Sequence, residues 1–258
     1  MELPEKTDGL HDPVVGALLI HGLNGSQRDM DEVQQILTAH GILAESMLLP
    51  GHGSVVWDML PLGWPEWTEA VQKELQTLKQ RCDVVFLIGH SLGGALSLHV
   101  AAHEAVDGVV TMCAPLHMQP WMLPAVRLAR LLTPVLPTVR EDVRDARARR
   151  RYTRDVYRWT PMTPVLSMLH FLPILCKELS QVTVPVLVFA AVHDHVVPVR
   201  DGHEIYRLLG SSEKSLVILR RSYHVVMKDF DQREVMQKTL DFVQLHAHKH
   251  QSTLPNRA

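Results

Sequence analysis

The 258-residue chain is poor in cysteine, in unbalanced charge and in uninterrupted apolar sequence. Its three cysteines, Cys82, Cys113 and Cys176, are odd in number and show no C-x-x-C spacing. A disulfide framework is therefore not expected, and Cys113, inside an apolar strand pattern, reads as a buried inert thiol. Lys and Arg total 26 against 28 Asp and Glu, a net charge of −2, so no global field favours nucleic acid or an anionic membrane. The longest apolar stretch, Trp121 to Pro137, holds Arg127, Arg130 and three prolines, which excludes an ordinary membrane span. The opening residues Met1-Glu2-Leu3-Pro4-Glu5 have neither a basic region nor an apolar core, so no signal peptide is expected and a cytoplasmic location is the default. Internal repeats and low-complexity tracts are absent. What is present is ordinary for a globular chain with a sizeable core, with 46% hydrophobic and 21% charged residues.

Six runs are aliphatic or β-branched at nearly every position: Val14–Ile20, Ile42–Leu49, Val84–Ile88, Gly108–Cys113, Val184–Val192 and Ser215–Arg220. Strands buried on both faces of a parallel sheet have this pattern. Helical stretches lie between them, at Gln27–His40, Pro65–Arg81, Leu92–Glu104, Arg200–Leu209 and Asp231–His246. The alternation predicts an α/β fold with a mostly parallel, doubly wound sheet. It fails between Pro115 and about Thr183, where Leu, Met, Pro and Arg dominate and prolines divide the chain into short pieces. Residues 116–182 are accordingly expected as an inserted helical cap, with 1–115 and 183–258 as the discontinuous core. Within the cap, the arginine-rich piece Arg140–Trp159 reads as an exposed helix with a solvated face. Leu128, Leu131, Leu132, Leu136, Leu166, Met168, Leu169, Phe171 and Leu172 are expected to face inward over a site.

Gly89-His90-Ser91-Leu92-Gly93 carries the chemistry. A buried strand precedes it and a helix follows, so the serine sits on a sharp strand-to-helix turn whose flanking positions must be small. A serine hydroxyl is a weak nucleophile until a base takes its proton, and that base needs an acid to orient it. In this arrangement the partners follow in the order Ser, Asp or Glu, His. Asp194 follows the strand run ending at Val192, and His224 follows the run Leu216–Leu219; both stand at carboxyl ends of strands, where open α/β sheets bind ligands. The candidate catalytic set is Ser91, Asp194 and His224. An oxyanion hole needs two backbone N–H groups, expected from Leu92, after the nucleophile, and Leu23, in the loop His21-Gly22-Leu23 after the first strand.

Other residues compete for roles. His21, His52 and His90 read as shaping the site or bonding the backbone. Asp201 and Asp229 read as serving helix starts. His193 and His195 flank Asp194 but are expected to point apart, and His246, His248 and His250 read as a terminal helix end before they read as a metal site.

The elements His21-Gly22, Leu49-Pro50-Gly51-His52-Gly53, Gly89-His90-Ser91-Leu92-Gly93-Gly94, Asp194-His195-Val196-Val197-Pro198 and Ser222-Tyr223-His224 together resemble the α/β-hydrolase superfamily, and within it the small bacterial carboxylesterases and monoacylglycerol lipases. The resemblance covers about Val14 to His246. It implies a serine carboxylic-ester hydrolase working through an acyl-enzyme, with no metal or organic cofactor. Its partner would be a small-molecule ester, monoacylglycerol or a short-to-medium-chain ester, and the protein would be a monomer or homodimer. Thioester hydrolysis, acyl transfer and carbon–carbon hydrolysis on the same fold remain alternatives, as does a non-catalytic binding protein.

Overall fold

A computed structural model describes residues 13–117, 119, 121–138, 142–152 and 157–253. The N-terminal residues 1–12, Arg140, Arg154 and the side chain of His250 lie outside the described residues. In chain order the strands are β1 (Val15–Ile20), β2 (Leu43–Met47), β3 (Val84–His90), β4 (Gly108–Met112), β5 (Val135–Pro137), β6 (Trp159–Pro161), β7 (Val186–Ala191) and β8 (Lys214–Leu219). The α-helices are α1 (Asp31–Ala39), α2 (Trp64–Lys79), α3 (Leu92–His103), α4 (Met122–Leu132), α5 (Ala146–Tyr152), α6 (Met162–Glu178), α7 (Val199–Leu208) and α8 (Gln232–Thr253).

The six strands read from the sequence form one sheet in the order β2-β1-β3-β4-β7-β8, parallel at every pairing. Side chains alternate across it. Leu18, Ile20, Val85, Leu87 and Val109 enter one buried cluster with α2, α3 and α6. Ala17, Leu19, Phe86, Ile88 and Val110 enter a second with α1 and α8. Both faces are thus covered, which is why the central strands lack a polar alternation. The edge strand β8 is only half-buried over most of its length. Helix α3 is buried from Leu92 to Ala101 because the sheet, α2 and α6 surround it, and its sequence is apolar on all sides. Register aligns Ile20 with Gly89, Gly89 with Thr111, and Ala191 with Leu219. The carboxyl ends of β1, β3, β7 and β8 therefore release their loops along one rim of the sheet.

The stretch 116–182 departs from expectation in three ways. First, a short antiparallel pair, β5 with β6, lies in it. Second, the arginine-rich piece is not one long helix: α5 is seven residues, and Val143 before it is fully buried. Third, α4 turns Leu128, Leu131 and Leu132 to solvent, with exposures of 61, 77 and 81%. The inward positions on α4 are Leu123, Val126 and Ala129, which pack on Met162, Val165 and Leu169 of α6. Farther along α6, Phe171, Leu172 and Leu175 join the main core, and Trp64 stacks on Phe171 at 5.1 Å.

Candidate active site

The turn after β3 is strained. Ser91 has φ 52° and ψ −119°, a conformation L-residues adopt at a cost of about 1–3 kcal/mol. The surrounding backbone enforces it. A Cβ at Gly89 would lie 2.2 Å from the Gly93 carbonyl oxygen, and one at Gly93 would lie 2.2 Å from the Ile20 carbonyl oxygen. Only hydrogen fits at either position, so the spacing recognised in the sequence has a steric cause. The Ser91 N–H donates to the Met112 carbonyl at 2.8 Å, fixing the turn against β4.

Asp194 and His224 meet across the rim. His224 Nδ1 lies 2.7 Å from one Asp194 oxygen, and both side chains are almost fully buried. The other Asp194 oxygen accepts the N–H groups of Val196 and Val197 at 2.7 and 2.9 Å. Burial alone pushes the Asp194 pKa up. The neighbouring His224 and these hydrogen bonds outweigh it and hold the carboxyl below its ordinary value. The carboxylate is thus ionised and bonded to Nδ1. Ser91, Asp194 and His224 all line one cavity of about 610 Å³, within the usual range for a small-molecule site. Its walls include Leu23, Met122, Val126, Met162, Val165 and Met168, with Asn24, His117 and Thr160 as polar points. Leu92 is the first residue of α3, and Leu23 lies on the loop after β1.

Three further histidines, His21, His52 and His90, have backbone partners. Leu49 N–H donates to His21 Nε2 at 3.1 Å, so His21 carries its proton on Nδ1 and donates it to the Gly22 carbonyl at 2.8 Å. Burial, then the nearby His52, pushes the His21 pKa down to about 3. His52 Nε2 reaches the Leu23 carbonyl at 2.5 Å, and burial lowers its pKa as well. His90 Nε2 donates to the His224 carbonyl at 3.2 Å; burial, then the neighbouring His224, pushes its pKa down to about 3. These three rings hydrogen-bond backbone groups of the loops after β1, β2 and β8, in keeping with the backbone-bonding role expected of them. The His195 ring packs at a tilt against Tyr223, centroids 4.4 Å apart, while His193 is exposed. His246 faces Glu213 at 3.7 Å and packs on Phe242.

Three contacts around these loops were not legible in the sequence. Cys113 stands beside the pair: its sulfur, an Asp194 oxygen and a His224 nitrogen lie within 4.8 Å of one another. Burial and the Asp194 charge raise the thiol pKa well above its usual value. Asp229 does not serve a helix start. One of its oxygens accepts N–H groups from Tyr223 and Arg144, the other from Asp145 and Phe230. It clamps the loop of His224 to residues 144–145 of the inserted stretch, and Val225 N–H adds a bond to the Asp142 carbonyl. Asp201 is fully buried and holds the Leu116 and His117 N–H groups, tying the exit of β4 to α7. Single carboxylates that gather distant amides leave no local sequence pattern.

A parallel sheet, a serine on a strained strand-to-helix turn and an aspartate–histidine pair on later strand loops define an α/β-hydrolase. The model of the Hydrolase_4 family, described as serine aminopeptidase, S33, matches residues 13–231, and the chain belongs to that family. It is 30% identical over 234 residues to a thermostable monoacylglycerol lipase of Bacillus sp. (strain H-257), covering 90% of this chain and 92% of the relative. It is 23% identical to a carboxylesterase of Bacillus subtilis (strain 168), covering 88 and 91%. Among solved structures it is similar to one from work on LipS and LipT, two metagenome-derived lipolytic enzymes, with TM-score 0.83, 28% identity and coverage of 91 and 96%. Among the described residues no helix is long and apolar enough to cross a membrane.

Proposed function

We propose that the protein is a serine carboxylic-ester hydrolase acting through an acyl-enzyme on monoacylglycerols or short-to-medium-chain esters. The observation that carries this reading is the buried Asp194–His224 pair opening, beside Ser91, onto a largely apolar cavity. Ser91 Oγ attacks the ester carbonyl while His224 Nε2 takes its proton. Asp194, ionised and bonded to Nδ1, holds the tautomer and stabilises the imidazolium. The N–H groups of Leu23 and Leu92 receive the oxyanion. Collapse of the tetrahedral intermediate breaks the ester C–O bond, and His224 returns the proton to the leaving alcohol. Water, deprotonated by His224, then attacks the acyl-enzyme, and the acid departs with Ser91 Oγ restored.

The substrate class rests on the walls. Leu23, Met122, Val126, Met162, Val165 and Met168 suit an acyl chain, each buried methylene contributing about 0.8 kcal/mol. Residues 116–182 act in this reading as the cap that supplies most of that lining. The solvent-facing leucines of α4 stand next to the lining residues Met122 and Val126, a placement that suits substrate delivered from a lipid aggregate. The test is Ser91→Ala. Ester turnover should fall by about a thousandfold or more with the fold retained, and covalent labelling by a fluorophosphonate should disappear. Near-normal turnover by the purified variant would refute the mechanism.

A further inference from the structure

Away from the cavity, α3 and α6 bring together a second set of reactive side chains. His99 and His103 are four residues apart on α3 and so share one face. Glu178, the last residue of α6, sits between them: one carboxylate oxygen is 2.6 Å from His99 Nδ1 and the other 3.1 Å from His103 Nε2. The three ligand atoms lie within 4.8 Å of one another. His99 is wedged edge-on against Trp64 and Phe171, with ring centroids at 5.5 and 5.3 Å, so its orientation is locked by packing. His103 is 44% exposed and leaves an approach from solvent. None of these residues lines the cavity of Ser91, which lies about 12 Å or more away along α3 from its N-terminus to His99.

We propose that His99, His103 and Glu178 form a binding site for a divalent transition-metal ion of the zinc class. Two imidazole nitrogens and one carboxylate are the donor set such ions prefer, and a solvent-facing side leaves room for water as the remaining ligand. In a tetrahedral zinc site, bonds of about 2.0–2.2 Å place ligand atoms roughly 3.3 Å apart. The present separations need only a side-chain adjustment, which the half-exposed His103 is free to make. The ion replaces the direct Glu–His hydrogen bonds and ties the end of α3 to the end of α6. The first turns of α6 carry Met162, Val165 and Met168 of the cavity wall. The metal therefore staples the helix that follows the nucleophile to the helix that lines the cavity, and stiffens the join without entering the chemistry.

The experiment is calorimetric titration of chelator-treated protein with zinc chloride, paired with thermal melts. One ion per chain with micromolar affinity is expected, and zinc at a hundredfold excess over Kd should raise Tm by roughly 5–10 °C. His103→Ala, at an accessible position, should weaken binding at least tenfold and abolish the rise, while Glu178→Gln should weaken it with less change in shape. Three results would overturn the site: no stoichiometric binding; binding undiminished in His103→Ala but lost in His248→Ala, which moves it to the terminal helix; or binding undiminished in His103→Ala but lost in Cys113→Ala, which moves it to Asp194 and His224.

Discussion

Lowering the pH from 7.5 to 5 should destabilise this protein through His21 and His90, well before any carboxylate is protonated. Both rings are fully buried and neutral, with pKa values pushed down to about 3. In the unfolded chain each returns to an ordinary histidine pKa of about 6.5. Between those values the unfolded state binds a proton that the folded state refuses, so stability falls as pH falls through about 6.5 and keeps falling toward 3. At pH 5 each ring costs about 2 kcal/mol relative to neutral pH, and the two together about 4 kcal/mol. His52, also lowered, adds in the same direction. Net stabilities of domains are about 5–15 kcal/mol, so the effect is a large share of the total. Asp194, whose carboxyl is held below its ordinary value, works in the same direction only below about pH 4. Urea unfolding midpoints at pH 7.5, 6 and 5 are the assay. They should drop steadily, and His90→Gln, which keeps a donor for the His224 carbonyl but does not titrate, should remove about 2 kcal/mol of the drop. A flat midpoint from pH 7.5 to 5, or a His90→Gln protein with the wild-type slope, would refute the reasoning.

The strain at Ser91 predicts that Ser91→Gly melts about 2–4 °C above Ser91→Ala, since alanine keeps the Cβ that makes φ 52° costly; equal melting temperatures would sink the idea. Cys113, buried and held as the thiol, should resist iodoacetamide at pH 8 while the half-buried Cys176 reacts, as mass spectrometry of the alkylated peptides would reveal. The apolar cavity predicts that efficiency climbs from acetyl toward medium-chain esters and that monoacylglycerols are cut faster than triacylglycerols of matched chain length. No gain from acetyl to octanoyl esters, or equal rates on the triacyl substrate, would remove the proposed substrate class.

The six parallel strands were legible because burial on both faces erases polar alternation, and few other environments do that to six short runs in one chain. Gly89 was legible because its constraint is local, the turn closing on the Gly93 carbonyl within five residues, whereas Gly93 is held small by the Ile20 carbonyl of β1 and was legible only through its spacing from Ser91. The inserted stretch was not. Leu128, Leu131 and Leu132 share one face of α4 and Leu123, Val126 and Ala129 another, and which face turns inward depends on α6, some forty residues later. The same holds for Cys113 beside Asp194 and for Glu178 between His99 and His103. In each case half of the contact is visible in the sequence and the other half comes only from the sheet order that closes the distance.

Asp229 gives the molecule a latch with a thermodynamic signature. One carboxylate accepts amides from Arg144 and Asp145 on the insert and from Tyr223 and Phe230 beside His224. Removing either set leaves a buried charge short of its donors, so neither opens without cost to the other. The two segments should therefore exchange their amide hydrogens as a single cooperative unit, although some eighty residues separate them in the chain. Any fluctuation that lifts residues 142–145 also loosens the loop that holds His224 against Asp194, so the two ends of the latch open together.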